Sequence, residues 1–302
     1  METRSAVANL IISLRPDQWT KNLIVFAALI FAVKLLDPAA LALASAAFLI
    51  FCVLSGCVYL INDVSDREAD RQHPLKRLRP IASGALGAGT ALAWAIGLSA
   101  AALAAAYVLR PVFALTAAAY LALFALYTHV LKHVVILDVM AIAIGFVLRA
   151  VAGGLVIGVP VSDWLLVCTI LLALFLGLAK RRHEITMLAD GASGHRRILE
   201  EYDPYLLDQM IAIVAAATLV VYIIYCASPD TAARFGTPLL VLTTPFPIYG
   251  IFRYLYLVHR KRGGGSPSDM LLRDRPLLGC VALWGIAVVL IIYRPYAFVT
   301  GT

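Results

Sequence analysis

The feature that most constrains this chain is a series of apolar runs, each long enough to cross a lipid bilayer as a helix. Hydrophobic residues make up 62% of the 302 residues and charged residues only 14%, and the mean hydropathy is +0.88. A soluble domain carries about 45–50% apolar and about 25% charged residues. The composition therefore excludes a soluble globular domain and predicts an all-α, polytopic membrane protein.

Nine apolar runs are predicted to be transmembrane helices. A helix rises about 1.5 Å per residue, so about 20 apolar residues cross a hydrocarbon core of about 30 Å. The first run is the shortest and is bounded by Lys21 and Lys34. No signal peptide is evident, and we expect one integral-membrane domain over residues 1–302. The runs cover residues 21–36, 41–62, 89–109, 112–129, 134–157, 163–180, 207–227, 236–258 and 276–294.

The distribution of Lys and Arg predicts the orientation in the cell membrane. Most of the 25 basic residues fall in loops on the side of the N-terminus. Cytoplasmic loops of membrane proteins carry an excess of Lys and Arg, so we expect the N-terminus and the large loops in the cytoplasm and the C-terminus outside. The same rule explains the net charge of +7 without a nucleic-acid partner. The loops on the opposite side hold only Lys34, Arg110, Arg234 and Arg294.

An acidic motif lies at the end of the second apolar run. Asn62, Asp66 and Asp70 are spaced four residues apart, and Asp63 precedes Asp66 by three. On a helix they form one acidic stripe about 12 Å long. Carboxylates at a membrane boundary are costly unless a cation binds them, and a hydrated Mg²⁺ carrying a diphosphate is the obvious candidate. We predict Asp66, Asp70 and Asn62 as metal ligands, and these three with Asp63 as the catalytic set.

Basic residues near the motif are predicted to bind phosphate oxygens. Arg67 lies inside it, and Lys76 and Arg79 follow it. Guanidinium and ammonium groups are the usual partners of phosphates. The motif and its flank therefore combine acidic groups for a metal with basic groups for a diphosphate.

A second polar cluster begins before the fifth run. Lys132 precedes it, and Asp138, Gly145 and Arg149 share one face of the predicted helix. An Asp and an Arg on this face should not point at lipid. Two interpretations remain open: a structural ion pair between Asp138 and Arg149, or a polar cavity in which Lys132 and Arg149 bind phosphates.

Further polar residues lie at the ends of later runs. Lys180 and Glu184 are one helical turn apart, so a local ion pair is the simple interpretation. The segment 196–205, which includes Tyr202, is predicted to cap the site as an amphipathic or re-entrant element. Arg253 lies within a run, while Asp274 and Pro276 have the pattern of a helix start. All these clusters fall on the predicted cytoplasmic side, which a single shared pocket requires.

These residues resemble the UbiA superfamily of intramembrane prenyltransferases, whose first motif reads N-D-x-x-D-x-x-x-D, as residues 62–70 do here. Within it, the chain is more similar to members that transfer phosphoribosyl groups to polyprenyl phosphates. The resemblance implies nine helices around a cytoplasm-facing cavity, Mg²⁺ dependence, and 5-phosphoribosyl diphosphate as donor. The stretches that carry it are 15–22, 62–84, 131–132 with Asp138, 145–154, 180–181 and 272–275.

One departure from the superfamily pattern favours phosphoribosyl transfer. Ordinary prenyltransferases of this kind carry a second acidic pair, D-x-x-x-D, near the fifth helix, where this chain has Lys132 and a lone Asp138. One acidic motif with extra cations suits one metal-bound diphosphate and two further phosphates. A prenyl phosphate is already anionic at pH 7, with a second pKa of about 6, so no general base is expected. The predicted substrate-binding residues are Lys21, Tyr59, Arg67, Lys76, Arg79, Lys132, Asp138, Arg149, Lys180 and Tyr202.

Two alternatives remain. An aromatic prenyltransferase of the quinone-pathway type would have the same fold but take a prenyl diphosphate as donor. A transporter or lipid-binding protein would show an internal repeat with interrupted helices, and the acidic motif has no close twin in the second half. A homo-oligomer is compatible with the sequence, because lipid-facing and partner-facing surfaces have similar composition.

Overall fold

The computed structural model describes residues 5–74, 76–189, 201–260 and 267–299, and within these ranges the chain is helical without a β-strand. Short 3₁₀ helices lie at Pro16–Phe26, Lys76–Leu78, Leu131–His133 and Leu239–Thr243. The α-helices are α1 (Ala6–Ser13), α2 (Ala27–Phe31), α3 (Pro38–Ser65), α4 (Arg67–Gln72), α5 (Ala88–Leu109), α6 (Pro111–His129), α7 (Leu137–Ile157), α8 (Asp163–Ala189), α9 (Pro204–Ala227), α10 (Pro229–Phe235), α11 (Pro245–Arg260), α12 (Pro267–Arg273) and α13 (Arg275–Val299).

Seven helices of the described ranges are long and apolar enough to cross a membrane: α3, α5, α6, α7, α8, α9 and α13. α10 and the segment Leu239–Arg260 are bent by 101° from each other, and counted together as one broken span they bring the number of candidate crossings to eight. An all-α, multi-pass membrane protein is thereby confirmed. The predicted count of nine is not confirmed, because the first apolar run folds as a 3₁₀ helix followed by the five-residue α2.

The first apolar run packs inside the bundle. Val25 and Leu29 are fully buried, and the 3₁₀ helix lies against α3 and α7. Gly153 of α7 allows this approach, since a Cβ there would lie 2.0 Å from the Val25 carbonyl oxygen. The backbones of Val25 and Gly153 are therefore so close that no side chain fits between them. The glycine therefore fixes the position of the polar residues that the 3₁₀ helix carries, including Lys21 and Asn22.

The helix boundaries follow from capping side chains and proline. Asp37 accepts hydrogen bonds from the amides of residues 39 and 40 and is followed by Pro38, which begins α3. Asp203 caps α9 in the same way through residue 206. Asp274 accepts from the amide of residue 277 and also binds Arg253, with 2.8 Å between Nη2 and Oδ2. The predicted helix start at Asp274 is confirmed, and this contact gives the intramembrane Arg253 its partner.

The two largest of five buried clusters among the described residues hold most of the helices together. One joins the 3₁₀ helix, α3, α5, α6 and α7 and includes Phe51, Leu54, Phe113 and Tyr120. The other joins α7, α8, α9, α11, α12 and α13. Close packing, rather than transfer out of water, drives such contacts within a membrane. The polar groups described next lie at the end of the first cluster where α3 ends and α7 begins.

Candidate active site

The acidic motif spans a break between two helices. α3 ends at Ser65, and Asp66 links it to α4 with φ −92° and ψ 7°. The Asp66 amide still donates to the Asn62 carbonyl and the Asp70 amide to the Asp66 carbonyl, both at 2.8 Å. The predicted four-residue spacing on one face is therefore kept, although the predicted single helix is two helices.

Each carboxylate of the motif has a cationic partner. Lys132 Nζ lies 2.6 Å from Asp66 Oδ1. Arg79 Nη1 lies 2.5 Å from Asp70 Oδ2 and 3.1 Å from Asp63 Oδ1. The structure thus brings Lys132 and Arg79, which the sequence places far apart, to the same acidic group. Alternating charges of this kind lower the cost of holding carboxylates near the membrane.

The buried Asp63 carboxylate forms ion pairs with two arginines, Arg15 and Arg79. Its side chain is 3% exposed, and its Oδ1 also accepts a hydrogen bond from Arg15 Nη2 at 2.5 Å. Arg15 has a left-handed backbone, with φ 53° and ψ 64°, and its guanidinium carbon lies 4.7 Å from the centroid of the Tyr59 ring. Strained backbone of this kind concentrates at functional sites. Asp63 is therefore placed to orient Arg15 and Arg79.

The remaining oxygens of the motif fit a magnesium ion. Asn62 Nδ2 donates to Asp66 Oδ2 at 3.0 Å, while the buried Asn62 Oδ1 has no hydrogen-bond partner among the described residues. The amide oxygen of Asn62, the Asp66 carboxylate next to it and the Asp70 carboxylate one turn further along the motif are the kind of oxygen donors that Mg²⁺ prefers. No group of three His, Cys, Asp or Glu side chains suited to a metal occurs in the described ranges. The fit therefore requires water and a diphosphate to complete the ligand shell.

Arg149 lies deeper in the bundle, and its partners are neutral. Its Nε donates to Asn22 Oδ1 at 2.7 Å, its Nη1 to the Gly145 carbonyl at 3.0 Å, and its Nη2 to the Tyr120 hydroxyl at 2.7 Å. The guanidinium also stacks on the Tyr120 ring, 4.7 Å from the centroid. The predicted alternative of an ion pair between Arg149 and Asp138 is wrong. The two residues belong to separate networks.

Lys21 is partly buried in the 3₁₀ helix. Within the described part of the chain, its ammonium makes neither a hydrogen bond nor an ion pair. Burial and the nearby charges of Arg149 and Arg15 lower the pKa of Lys21 to about 8, against the opposing effect of Asp17 and Asp269. A lysine in this environment gains most from an anionic ligand.

Asp138 is the centre of a second buried network. It is fully buried and accepts from Arg181 Nε at 2.6 Å and from the Tyr202 hydroxyl at 2.8 Å. The Tyr202 hydroxyl in turn accepts from the amide of Ile136 at 2.7 Å. Burial and the Asp138 carboxylate raise the pKa of Tyr202 above its usual value. Asp138 and Tyr202, which the sequence predicts to bind substrate, are engaged with each other and with Arg181. Arg181 also pairs with Glu184.

Three other predicted residues lie in local contacts. Arg67 pairs with the exposed Glu68 at 2.7 Å, and Lys180 lies 3.8 Å from Glu184, as the local interpretation predicts. Lys76 begins a short 3₁₀ helix, and its amide donates to His73 Nδ1. Of the predicted capping segment 196–205, residues 196–200 lie outside the described residues.

Sequence reasoning missed four residues of these networks: Arg15, Asn22, Tyr120 and Arg181. Arg181 is 2% exposed, yet its neighbours Lys180 and Arg182 give it the pattern of a cytoplasmic stop signal. Tyr120 lies in an apolar run, where one hydroxyl carries no signal. The signal in the sequence that could have identified Arg15 and Asn22 is their position in a polar stretch directly before an apolar run.

A helical membrane bundle with this acidic motif, surrounded by Lys and Arg, is typical of intramembrane transferases that act on diphosphates. The UbiA prenyltransferase family matches residues 22–272, and the chain belongs to that family. The resemblance seen in the motif is thereby confirmed.

Relatives and solved structures agree with this assignment. The chain is 35% identical over 284 residues to the decaprenyl-phosphate phosphoribosyltransferase of Mycobacterium tuberculosis, covering 92% of each protein. It is 35% identical over 296 residues to the protein of that name in Mycolicibacterium smegmatis, covering 93% of this chain and 91% of that one. A UbiA homolog from Archaeoglobus fulgidus bound to GPP and Mg²⁺ has a TM-score of 0.68 at 20% identity, over 97% of this chain and 99% of that one. At that identity the structural likeness shows the fold.

Proposed function

We propose that the protein transfers the 5-phosphoribosyl group from phosphoribosyl diphosphate to a polyprenyl phosphate and releases diphosphate. The relatives named decaprenyl-phosphate phosphoribosyltransferase support this reaction. The observation that carries it is the pairing of Asp138 with Arg181. A prenyl diphosphate donor would call for a second metal-binding acidic pair here, and the lone carboxylate is already neutralised.

The acidic motif would hold the diphosphate through a metal. Bound at Asn62, Asp66 and Asp70, Mg²⁺ would neutralise the charge that develops on the departing diphosphate. Lys132 and Arg79 already lie against these carboxylates, so their donors are within reach of phosphate oxygens. Arg15, oriented by Asp63, adds a third cation on the same side.

The chemical step needs positioning more than proton transfer. An oxygen of the prenyl phosphate attacks C1 of the ribose, the bond from C1 to the diphosphate oxygen breaks, and the electron pair leaves with the diphosphate. The attacking phosphate is anionic at neutral pH, which removes the need for a base. The contribution of the protein is therefore alignment and charge stabilisation by its fixed cations.

The reaction is assigned to the cytoplasmic face. Most Lys and Arg residues lie on the side of the acidic motif, and such loops face the cytoplasm. The motif lies where α3 ends, whereas Lys34, near the start of α3, lies at the opposite end. A soluble diphosphate donor would enter from the cytoplasm, and the lipid acceptor would enter from the membrane.

The test is turnover by purified protein with phosphoribosyl diphosphate, Mg²⁺ and polyprenyl phosphates, followed by mass measurement of the lipid. We expect a phosphoribosylated lipid from the wild type and none from Asp66→Asn, with Glu68→Gln, an exposed neighbour, retaining activity. Turnover of a prenyl diphosphate with 4-hydroxybenzoate, and none with phosphoribosyl diphosphate, would establish the aromatic prenyltransferase instead. Near wild-type activity of Asp66→Asn would refute the metal assignment.

A further inference from the structure

Arg149 is a buried charge without a charged partner. It lies about 18 Å along α7 from the first residue of the helix and is 4% exposed. None of the described carboxylates lies within ion-pair distance of it. A guanidinium has five N–H donors, and three of them bind Asn22, Gly145 and Tyr120. A cation at membrane depth is costly unless it serves a partner or a ligand.

Lys21 is a second partly buried charge without an ion pair among the described residues, and its charge interacts with that of Arg149. Its neighbour in sequence, Asn22, is the residue that binds Arg149 Nε, and the charges of Arg149 and Arg15 both act on its ammonium. Like charges held together in a partly buried place repel each other. Arg15 is compensated by Asp63. Asp17 and Asp269 offset part of the repulsion on Lys21 but form no ion pair with it, so Lys21 and Arg149 are the pair whose charge an anion would balance.

The surroundings keep both groups in place. Asn22 Nδ2 donates to Ser55 Oγ at 3.2 Å, which fixes the amide that holds Arg149. Arg149 is also stacked between aromatic rings, with Phe146 at 5.2 Å and Tyr120 at 4.7 Å from its guanidinium carbon. Groups locked by packing and hydrogen bonds bind a ligand without the cost of ordering. A purely structural Arg149 would explain these contacts but not the unpartnered ammonium of Lys21.

We propose that Lys21 and Arg149 form a subsite for a phosphate monoester, separate from the metal-binding motif. Two positive charges match a monoester of charge about −1.5 to −2 at pH 7, and the free N–H donors of both groups suit its oxygens. The inference rests on the proposed function, whose two substrates each carry one such group besides the diphosphate. These are the 5-phosphate of the donor and the phosphate of the lipid acceptor, and they share the same chemistry.

The test separates the two sources by steady-state kinetics of Lys21→Met and Arg149→Lys. We expect the KM of one substrate to rise about 10- to 100-fold, as loss of a charge-assisted hydrogen bond predicts, while the KM of the other stays unchanged. Lys21→Arg should restore most of the loss. Lys34→Met is the control, since Lys34 is half-exposed at the other end of the bundle and pairs with Asp37.

A donor analogue, ribosyl diphosphate without the 5-phosphate, identifies which phosphate is bound. If the subsite holds the 5-phosphate, wild type and Lys21→Met turn over the analogue equally well. If it holds the lipid phosphate, the variant keeps its deficit with the analogue and shows it in the lipid KM.

Three outcomes distinguish failure of the subsite from failure of the proposed function. Unchanged KM values for both substrates in Lys21→Met overturn the inference while the proposed function stands. A wild type that makes no phosphoribosylated lipid defeats the proposed function itself. For a folded but inactive variant, equilibrium binding of each substrate decides: selective loss of one supports the subsite, and wild-type binding of both overturns it.

Discussion

Replacing Tyr202 by Phe removes one hydroxyl that makes two buried hydrogen bonds. It accepts from the Ile136 amide at 2.7 Å and donates to Asp138 Oδ1 at 2.8 Å. Ile136 has φ 69°, which is unfavourable for a β-branched residue, so the turn depends on contacts that hold it. This turn joins Asp138 to Lys132, whose ammonium lies 2.6 Å from Asp66. We therefore expect Tyr202→Phe to lose both stability and activity.

The magnitude follows from the two bonds. A bond to a carboxylate contributes about 1.5–3 kcal/mol and a neutral one about 1 kcal/mol, so the free energy of unfolding should fall by about 3 kcal/mol. Displacement of Lys132 should lower kcat about 10- to 100-fold. The assays are thermal unfolding in detergent and turnover with saturating substrates. Tyr205→Phe is the matched control, because Tyr205 is 71% exposed.

The result that would refute the reasoning is a Tyr202→Phe variant with wild-type kcat and wild-type unfolding temperature. An equal loss in Tyr205→Phe would also refute it, since the effect would then not come from the buried hydroxyl. A loss of stability without a loss of kcat would mean that the turn does not position Lys132.

Two further predictions concern the 3₁₀ helix. With the pKa of Lys21 lowered to about 8, its charge is present below that pH and lost above it, so kcat/KM should fall as the pH rises through 8. Lys21→Arg, which stays charged, should abolish that fall, and an identical alkaline limb in both proteins would contradict the assignment. Gly153→Ala should destabilise the protein by about 1–3 kcal/mol, because its Cβ would meet the Val25 carbonyl. In a thermal unfolding series, Gly97→Ala should be neutral or stabilising, because nothing lies within 4 Å of a Cβ there, and equal behaviour of the two variants would contradict the packing argument.

The acidic motif can be predicted from the sequence because it depends only on the spacing of nearby residues. The spacing of Asn62, Asp66 and Asp70 places them on one face whether the helix is continuous or broken at Asp66, because the hydrogen bonds between successive turns persist. Lys132 and Arg79 were predicted to share the site from charge alone. The structure adds which carboxylate each cation contacts.

The first apolar run was harder to interpret, because composition does not distinguish lipid-facing from interior surface in a membrane protein. Val25 and Leu29 have the hydropathy of a transmembrane helix but are fully buried against other helices. The run packs inside the bundle because it closely approaches Gly153, which lies more than a hundred residues away in the sequence. Likewise, Asp138 and Arg181 are 43 residues apart, and only the relative placement of α7 and α8 makes them partners.

The arrangement of charges suggests how such a site can bind highly charged substrates without exposing bare charge to the membrane. Asp66 is matched by Lys132, and Asp63 and Asp70 share Arg79. A magnesium diphosphate also combines a positive ion with negative phosphates. In the proposed reaction the carboxylates would bind the metal, and the Lys and Arg side chains that they release would bind the phosphates. Each ion pair is then exchanged for another rather than broken, which keeps the desolvation cost low. Lys21 and Arg149 form no ion pair with a described carboxylate, so no carboxylate has to be released to a metal when they bind an anion.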